Sequence, residues 1–556
     1  MLRSHSKSPE PSSPWDSEVR LLSWLATCVS VVSFLAYFQR QEIMLYGDAV
    51  AHINIARRVF DSKTPGLLQL GTVWLPLPHL LMIPFLVSNE MWRRGVGGSI
   101  PSLVAYVFSV VGMFRLVRGA LSHSAEPDAP ARIAAWIAAL IFAANPNLIY
   151  MQTTAMGESL YLAFFVWSVV YFSEFMRGDK NALTKCGLLL AAACLTRYDG
   201  WFLAAAMVAV VLLTVVRGGL SAQPVSASLR SRTLVKFILL AAAAPILWLA
   251  YNGIVYRNPL EFENGPYSAK AIEARTQSSG NPGHPGSGSP FVAGLYFLKS
   301  GEANVAENQW LQRGWILLGV TALAVALVRR KKNLPAASRA WPLFFLLMPL
   351  PFYALSIAYG GVPIFVPEWW PFTHYNDRYG LQLLPAFAAA LAVLVNFVVR
   401  SEHWNARLRL AGVLAVLGFV VASYASVWRA DPVCLQEAEI NMRTRNQLET
   451  SLAGWLDKLP PDCTLLMYLG DHVGAVQQAG IPLKHVINEG NHRVWKQPTD
   501  PDGLWERALA DPARYADYVV AFQGDRVWQA VQGRHLRELV EIHVTGQPHA
   551  FLYRAR

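Results

Sequence analysis

Charged side chains are scarce in this sequence, at 15% of 556 residues, against 53% hydrophobic. So little charge over that length excludes a string of soluble domains. Cysteine is rare too, five in all, which excludes a disulfide-built scaffold. No small-x-small cleavage site follows the first apolar run before Gln39 and Arg40, so the N-terminus reads as an uncleaved signal anchor. His-Glu-x-x-His is absent, and the one Asp-x-Asp, Asp500-Pro-Asp502, sits in a turn-like stretch near the C-terminal end. Metal-ligand spacing is therefore missing. The formal net charge of +11 does not point to nucleic acid. Basic residues fall in short clusters between apolar runs, most clearly Arg329, Arg330, Lys331 and Lys332, where they orient membrane spans.

What is abundant is apolar sequence in long runs. A crossing needs about 20 such residues. Stretches of that kind occur near 21–39, 100–117, 133–150, 158–176, 183–197, 200–216, 235–254, 309–328, 341–358, 380–399 and 407–428. Val73 to Val87 is also apolar, but it holds Pro76, Pro78 and Pro84. Counting it as a crossing would put Arg3, Lys7 and Arg20 outside. An interfacial or re-entrant helix there restores one consistent topology, with Arg115/Arg118/Arg132, Arg177/Lys180/Lys185, Arg217/Arg230/Arg232/Lys236 and the 329–332 cluster all cytoplasmic. The expectation is a polytopic α-helical membrane protein of about eleven spans, N-terminus cytoplasmic. Residues 1–20 form a cytoplasmic tail and 21–428 the membrane domain, with a first outer loop over 40–99. Residues 255–308 and 359–379 also fall outside, as do the turns Tyr150 to Glu158 and Thr196 to Gly200.

From 429 to 556 the charge rises, and short apolar strands alternate with helical stretches. Strands are expected at Cys463–Leu469, Leu483–Ile487 and Tyr518–Phe522, and a hairpin from Leu539–Val544 with Ala550–Arg554. Helices are expected at Asp471–Ala479 and Asp525–Gln532. Together these make a small extracytoplasmic α/β domain. Thr276 to Pro290, rich in Gly, Ser and Pro, reads as a mobile loop. Cys434 and Cys463 both lie in the outer domain, where a disulfide is permitted, though spacing alone does not show that their Cα atoms approach.

The densest chemistry lies in Tyr46-Gly-Asp-Ala-Val-Ala-His-Ile-Asn-Ile-Ala-Arg-Arg-Val-Phe-Asp61. On a helix Asp48 and His52 share a face, with Arg57 and Arg58 one turn on. A carboxylate can take a proton from an attacking hydroxyl, and Arg can hold a phosphate through forked hydrogen bonds. The plainer alternative is a helix start with Asp48 at its positive end. Arg378, with Tyr379 beside it, sits where the last outer loop re-enters the membrane, and an ionisable residue there is a candidate for function. Arg197 and Asp199 share one short turn and can pair with each other. In Pro367-Glu-Trp-Trp-Pro-Phe-Thr-His374 the aromatics suit either a sugar or the interfacial belt. Asp48, His52, Glu158, Asp199 and Asp377 are ligand types that could meet in space, but a divalent metal is not favoured.

The opening Gly-Asp-x-x-x-His-x-x-x-Ala-Arg of the first outer loop resembles the GT-C class of polyprenyl-phosphate-sugar glycosyltransferases. The resemblance is strongest to bacterial relatives of the protein O-mannosyltransferase family. Gly71-Thr-Val-Trp-Leu-Pro-Leu-Pro-His79, Thr153-Thr-Ala-Met-Gly-Glu158, Leu195-Thr-Arg-Tyr-Asp-Gly-Trp201 and Asn376-Asp-Arg-Tyr-Gly-Leu-Gln-Leu-Leu-Pro385 are similar to recurring stretches of that class. The resemblance implies a GT-C-like fold and a sugar moved, with inversion, from a polyprenyl-phosphate donor to a lipid, glycan or protein acceptor. It implies catalytic roles for Asp48, as general base, and for Glu158, where a second acidic residue faces the site. The remaining candidates, His52, Arg57, Arg58, Arg197, Asp199, His374, Asp377, Arg378 and Tyr379, fall to substrate binding. Where the family often has an acidic neighbour to this Asp, the chain has Ala49, which removes an acidic pair. No cofactor is expected. The short basic N-terminus and the lack of any Asn-x-Ser/Thr sequon point to a bacterial inner membrane. The rival reading is a transporter or flippase for a lipid-linked or polar solute.

Overall fold

The computed structural model describes residues 14–122, 128–216, 227–278, 283–331, 340–491 and 502–556. Arg217, Lys332, Asp500 and the centre of the Thr276–Pro290 stretch lie outside the described residues. The helices are α1 (Pro14–Gln39), α2 (Gly47–Arg58), α3 (Leu77–Leu86), α4 (Val96–Leu121), α5 (Ala129–Ala143), α6 (Pro146–Met151), α7 (Glu158–Met176), α8 (Lys180–Cys194) and α9 (Asp199–Val216). They continue with α10 (Ala227–Val255), α11 (Pro290–Ala303), α12 (Gln309–Lys331), α13 (Pro349–Tyr359), α14 (Leu384–Arg400), α15 (Ala406–Ala430) and α16 (Val433–Leu456). Turns of 3-10 helix, Trp341–Leu347 and Asp377–Leu383, lead into α13 and α14.

Among the described residues, eight helical segments are long and apolar enough to cross a membrane, and the chain is an integral multi-pass membrane protein. Eight of the eleven expected spans meet that standard. The other three, near 133–150, 183–197 and 200–216, correspond to shorter apolar helices. The first is broken where Asn145 accepts a hydrogen bond from Leu148 N at 2.9 Å and Pro146 opens a new helix. A cap followed by Pro at the first position restarts a helix rather than continuing it. Helix α3 has ten residues, about 15 Å at 1.5 Å per residue. That is too short to span, as its prolines suggested.

Two ends of the bundle differ in chemistry. At one, Glu18 of α1 accepts from Arg118 of α4 at 2.9 Å and from Arg132 of α5 at 2.8 Å. Arg115 pairs with Glu174 at 2.6 Å and Arg400 with Asp128 at 2.5 Å. The other end carries α2, α3, the start of α4 and the C-terminal domain. Asp431, at φ +66°, and Pro432 turn the chain out of α15 into α16, a long helix the sequence reading did not anticipate. Its buried residues include Val433, Cys434, Glu437, Ala438, Met442, Leu448, Glu449 and Leu452, a stripe of helical period.

The sheet behind α16 comprises β1 (Leu465–Met467), β2 (Val486–Ile487), β3 (Tyr518–Phe522), β4 (Arg537–Ile542) and β5 (Ala550–Arg554), in the order β2-β1-β3-β5-β4. β1 runs parallel to β2 and β3, while β5 runs antiparallel to β3 and β4. Helix α17 (Val473–Ala479) follows β1, and α18 (Arg526–Val531) is capped by Asp525, whose carboxylate accepts from Trp528 N. The expected strands and the hairpin are therefore present, though Leu483–His485 is a 3-10 turn and only Val486–Ile487 is strand. Cys434 and Cys463 are free, buried thiols. Ala269–Ser278 is helical, so the expected loop starts later than Thr276.

The domain is bolted to the first loop. Asn54 donates to Gln477 Oε1 at 2.6 Å, and Gln477 donates to the Trp92 carbonyl at 2.8 Å. Lys484 N donates to Asp61 Oδ1 at 3.0 Å, and Gln69 to the Gly490 carbonyl at 3.0 Å.

Candidate active site

Among the helical segments that begin at the domain-bearing end with an acidic residue in the first turn, four bear on the site. They are Asp48 on α2, Glu158 on α7, Asp199 on α9 and Asp377 on the turn before α14. Carboxylates there meet the positive ends of the helix dipoles. A cavity of about 2000 Å³ opens between these helix starts and the domain. Its walls come from residues of the 40–99, 255–308 and 359–379 segments, both short turns, α16, and the loops after β1 and β2.

Two arginines organise the floor. Arg378 donates through Nη2 to Asp48 Oδ2 at 2.7 Å, and its Nε lies 3.4 Å from Glu158 Oε1. Its Nη1 pairs with Glu437. Arg197 donates to Glu158 Oε1 at 2.9 Å and to the Tyr353 hydroxyl at 2.8 Å, and lies 3.5 Å from Asp199 Oδ2. Both guanidinium carbons lie close to the Tyr379 ring centre, at 4.7 Å for Arg197 and 5.1 Å for Arg378. A cation over an aromatic face is held by the ring quadrupole. Buried charges persist because each is matched. The side chains of Glu158 and Glu437 are 1% exposed, whereas Asp48 is 41% exposed. Asp48 is thus the member of this carboxylate network that a ligand in the cavity can reach.

His52 lines the cavity one turn after Asp48, and its Nδ1 lies 2.8 Å from His79 Nε2. Burial pushes both imidazoles below their usual range, against the pull of Asp48 and Glu158 on His52. Arg58 also lines the cavity, 3.8 Å from Glu489 of the domain.

Three expected binding residues are not on the wall. Arg57 turns away from the cavity into a pair with Asp61 at 2.7 Å, donates to the Leu86 carbonyl and to Asn89 Oδ1, and stacks over Trp92. Its position at the other side of α2 from Arg58 decides this, since adjacent helical residues point about 100° apart. His374 and Asp377 bond each other at 2.7 Å and lie beneath the surface. The Asp377 carbonyl accepts from Ser300 and Asn304 at 2.7 Å each, so both shape the loop that presents Arg378.

Glu437, Tyr353 and Gln382, whose Nε2 donates to the Tyr353 hydroxyl at 2.8 Å, were not foreseen. Glu437 accepts from Asn376 N at 3.0 Å and Arg378 N at 3.2 Å besides the Arg378 side chain. The available signal was a carboxylate on the apolar stripe of α16. Among the described residues, no group of three or more His, Cys, Asp or Glu side chains is arranged to hold a metal ion.

No family model and no curated protein matches the sequence. Solved structures do resemble it. ArnT from Cupriavidus metallidurans bound to undecaprenyl phosphate superposes with a TM-score of 0.53 at 14% identity, over 98% of this chain and 99% of that one. The same protein in the apo state gives 0.51 at 14% identity, over 95% and 98%. This chain has the GT-C fold. Within it Asp48, Glu158 and Asp199, the arginine pair and the covering α/β domain all border one space.

Proposed function

We propose that this protein moves a sugar from a polyprenyl-phosphate donor to an acceptor bound in the cavity. The observation that carries the reading is the reachable Asp48 carboxylate beside Arg378, in a large cavity of a GT-C fold. The ArnT structure that shares this fold holds undecaprenyl phosphate. Leu68 and Leu355 line the cavity yet stay 42% and 46% exposed, which suits a lipid tail entering from the bilayer.

Arg378 occupies Asp48 Oδ2, leaving Oδ1 to take the proton of an acceptor hydroxyl or amine. The freed electron pair attacks the anomeric carbon from the side opposite the phosphate. The carbon–oxygen bond to phosphate breaks, and its electron pair leaves with the polyprenyl phosphate, which is already ionised and needs no strong acid. Arg58, on the cavity wall, is the cation placed for that phosphate, and attack from the opposite side inverts the anomeric centre. Glu158 holds Arg197 and Arg378 in register. Lipid, glycan or protein acceptors all fit a cavity of this size, and the domain over it has the position to select among them. The clustered basic residues at the opposite end of the bundle favour an extracytoplasmic active face, in a bacterial inner membrane. Transport calls for a site at mid-membrane on broken helices; here the charged groups sit at helix starts.

Purified protein supplied with undecaprenyl-phosphate sugars is expected to release undecaprenyl phosphate. Asp48→Asn is expected to slow release by about 10²- to 10⁴-fold, the worth of a general base, with folding intact. Unchanged release in that variant would remove Asp48 as the base.

A further inference from the structure

The His52–His79 pair has a directionality that the two rings alone do not reveal. His79 is fully buried, and its Nδ1 has no hydrogen-bond partner among the described residues. A neutral imidazole carries one N–H and one lone pair. Placing the His79 proton on Nδ1 would bury an orphaned N–H, which folded proteins avoid more strictly than an unused acceptor. Placing it on Nε2 lets it donate to His52 Nδ1 at 2.8 Å. His52 Nδ1 then acts as acceptor, and the His52 proton must sit on Nε2.

With Nδ1 turned to His79, Nε2 is the nitrogen His52 offers to the cavity it lines. Asp48 and Glu158 are the carboxylates whose charge acts on this ring, and Asp48 lines the same cavity. The His52 ring is fixed in addition by Trp74, whose ring centre is 4.7 Å away.

We propose that His79 acts as a positioning residue that locks His52 in the Nε2–H tautomer, making His52 a neutral hydrogen-bond donor to a substrate oxygen beside Asp48. This rests on the proposed function for the identity of the ligand. The oxygen belongs either to the donor phosphate or to a sugar hydroxyl. His52 is therefore not a second base: its cavity-facing nitrogen has no lone pair to offer, and the proton of the acceptor goes to Asp48.

The test has a spectroscopic arm and a binding arm. In protein labelled with ¹⁵N-histidine, the His52 signals are identified by their loss in His52→Gln. The expected pattern is a protonated Nε2 and an unprotonated Nδ1 at neutral pH. A protonated Nδ1 would overturn the lock without reference to activity. In the binding arm, His79→Phe, which cannot donate, is expected to weaken binding about tenfold, the worth of one hydrogen bond. His79→Gln, whose amide N–H can donate to Nδ1, is expected to recover most of that loss. Equal weakening toward undecaprenyl phosphate and its sugar-bearing form assigns the contact to phosphate. Weakening toward the sugar-bearing form alone assigns it to a hydroxyl. Unchanged affinity for both would overturn the contact. If undecaprenyl phosphate fails to bind even the wild type, the proposed function fails, and the tautomer spectrum still decides the lock.

Discussion

Replacing Glu437 by alanine is expected to destabilise the protein by about 4 kcal/mol and to lower activity with it. Three interactions end at this one carboxylate: the Arg378 side chain, Asn376 N at 3.0 Å and Arg378 N at 3.2 Å. A hydrogen bond to a charged group is worth about 1.5–3 kcal/mol, and each buried N–H left orphaned costs about 1–3 kcal/mol. Arg378 keeps Asp48 and Glu158, so its charge is not stranded, and the total stays within the roughly 3–5 kcal/mol seen when a buried pair is broken. Glu437→Gln keeps one acceptor oxygen and the shape of the side chain, and is expected to cost about 2 kcal/mol. The informative variant is Glu437→Leu combined with Arg378→Met. Removing both charges leaves neither unpaired, so the double variant should be more stable than the sum of the single losses by about 1–3 kcal/mol. Its activity should be gone all the same, because Arg378 faces the cavity. Unfolding in detergent, followed by Trp fluorescence, gives the stabilities, and undecaprenyl phosphate release gives the activity. Strictly additive losses would refute the claim that Glu437 acts by holding Arg378.

The other predictions concern different parts of the molecule. Burial against Phe522 and the charge of Arg445 hold His472 down to about 4; Glu449, 3.9 Å away, is beyond hydrogen-bond reach and committed to Arg445 at 3.0 Å. A lowered imidazole means stability that is present above pH 6.5 and lost as pH falls toward 4. The loss is about 3 kcal/mol at most, and Tm scans of wild type against His472→Gln between pH 7 and pH 4 should converge on the variant's flatter profile. A Cβ on Gly380 would stand 2.4 Å from the Ser300 backbone. Gly380→Ala should therefore lift the Arg378 turn off α11 and cost about 1–3 kcal/mol, visible as lower Tm and slower release. Arg57→Ala strands buried Asp61 and should cost about 3–5 kcal/mol. Arg58→Ala removes only a looser, 3.8 Å contact to partly buried Glu489, so it should cost less, about 1–3 kcal/mol, while raising the donor KM, and the two neighbours separate in a paired Tm and kinetic comparison.

Long-period features were legible in the sequence. Apolar runs and basic clusters place most of the helices, the short proline-bearing Leu77–Leu86 segment and the change of character near 429, because the bilayer imposes length and charge rules on the chain itself. Asp48, Glu158, Arg197, Asp199 and Arg378 stood out as ionisable residues beside apolar runs, and the cavity does gather them. Asn145 and Pro146 carried a break that a count of apolar residues alone passes over.

What the sequence determined by itself, then, is a membrane-crossing chain with a small α/β end and a set of polar residues at the helix starts. Tertiary structure decided which of those residues face one another. Arg57 and Arg58 are equivalent as letters, but α2 turns one into a buried pair with Asp61 and the other onto the cavity wall. Glu437 is 59 residues from Arg378 in the chain and meets it only because α16 packs its apolar stripe against the loop before α14. Pairings across that separation are set by how helices pack, and the local pattern of residues around either partner carries no record of the other.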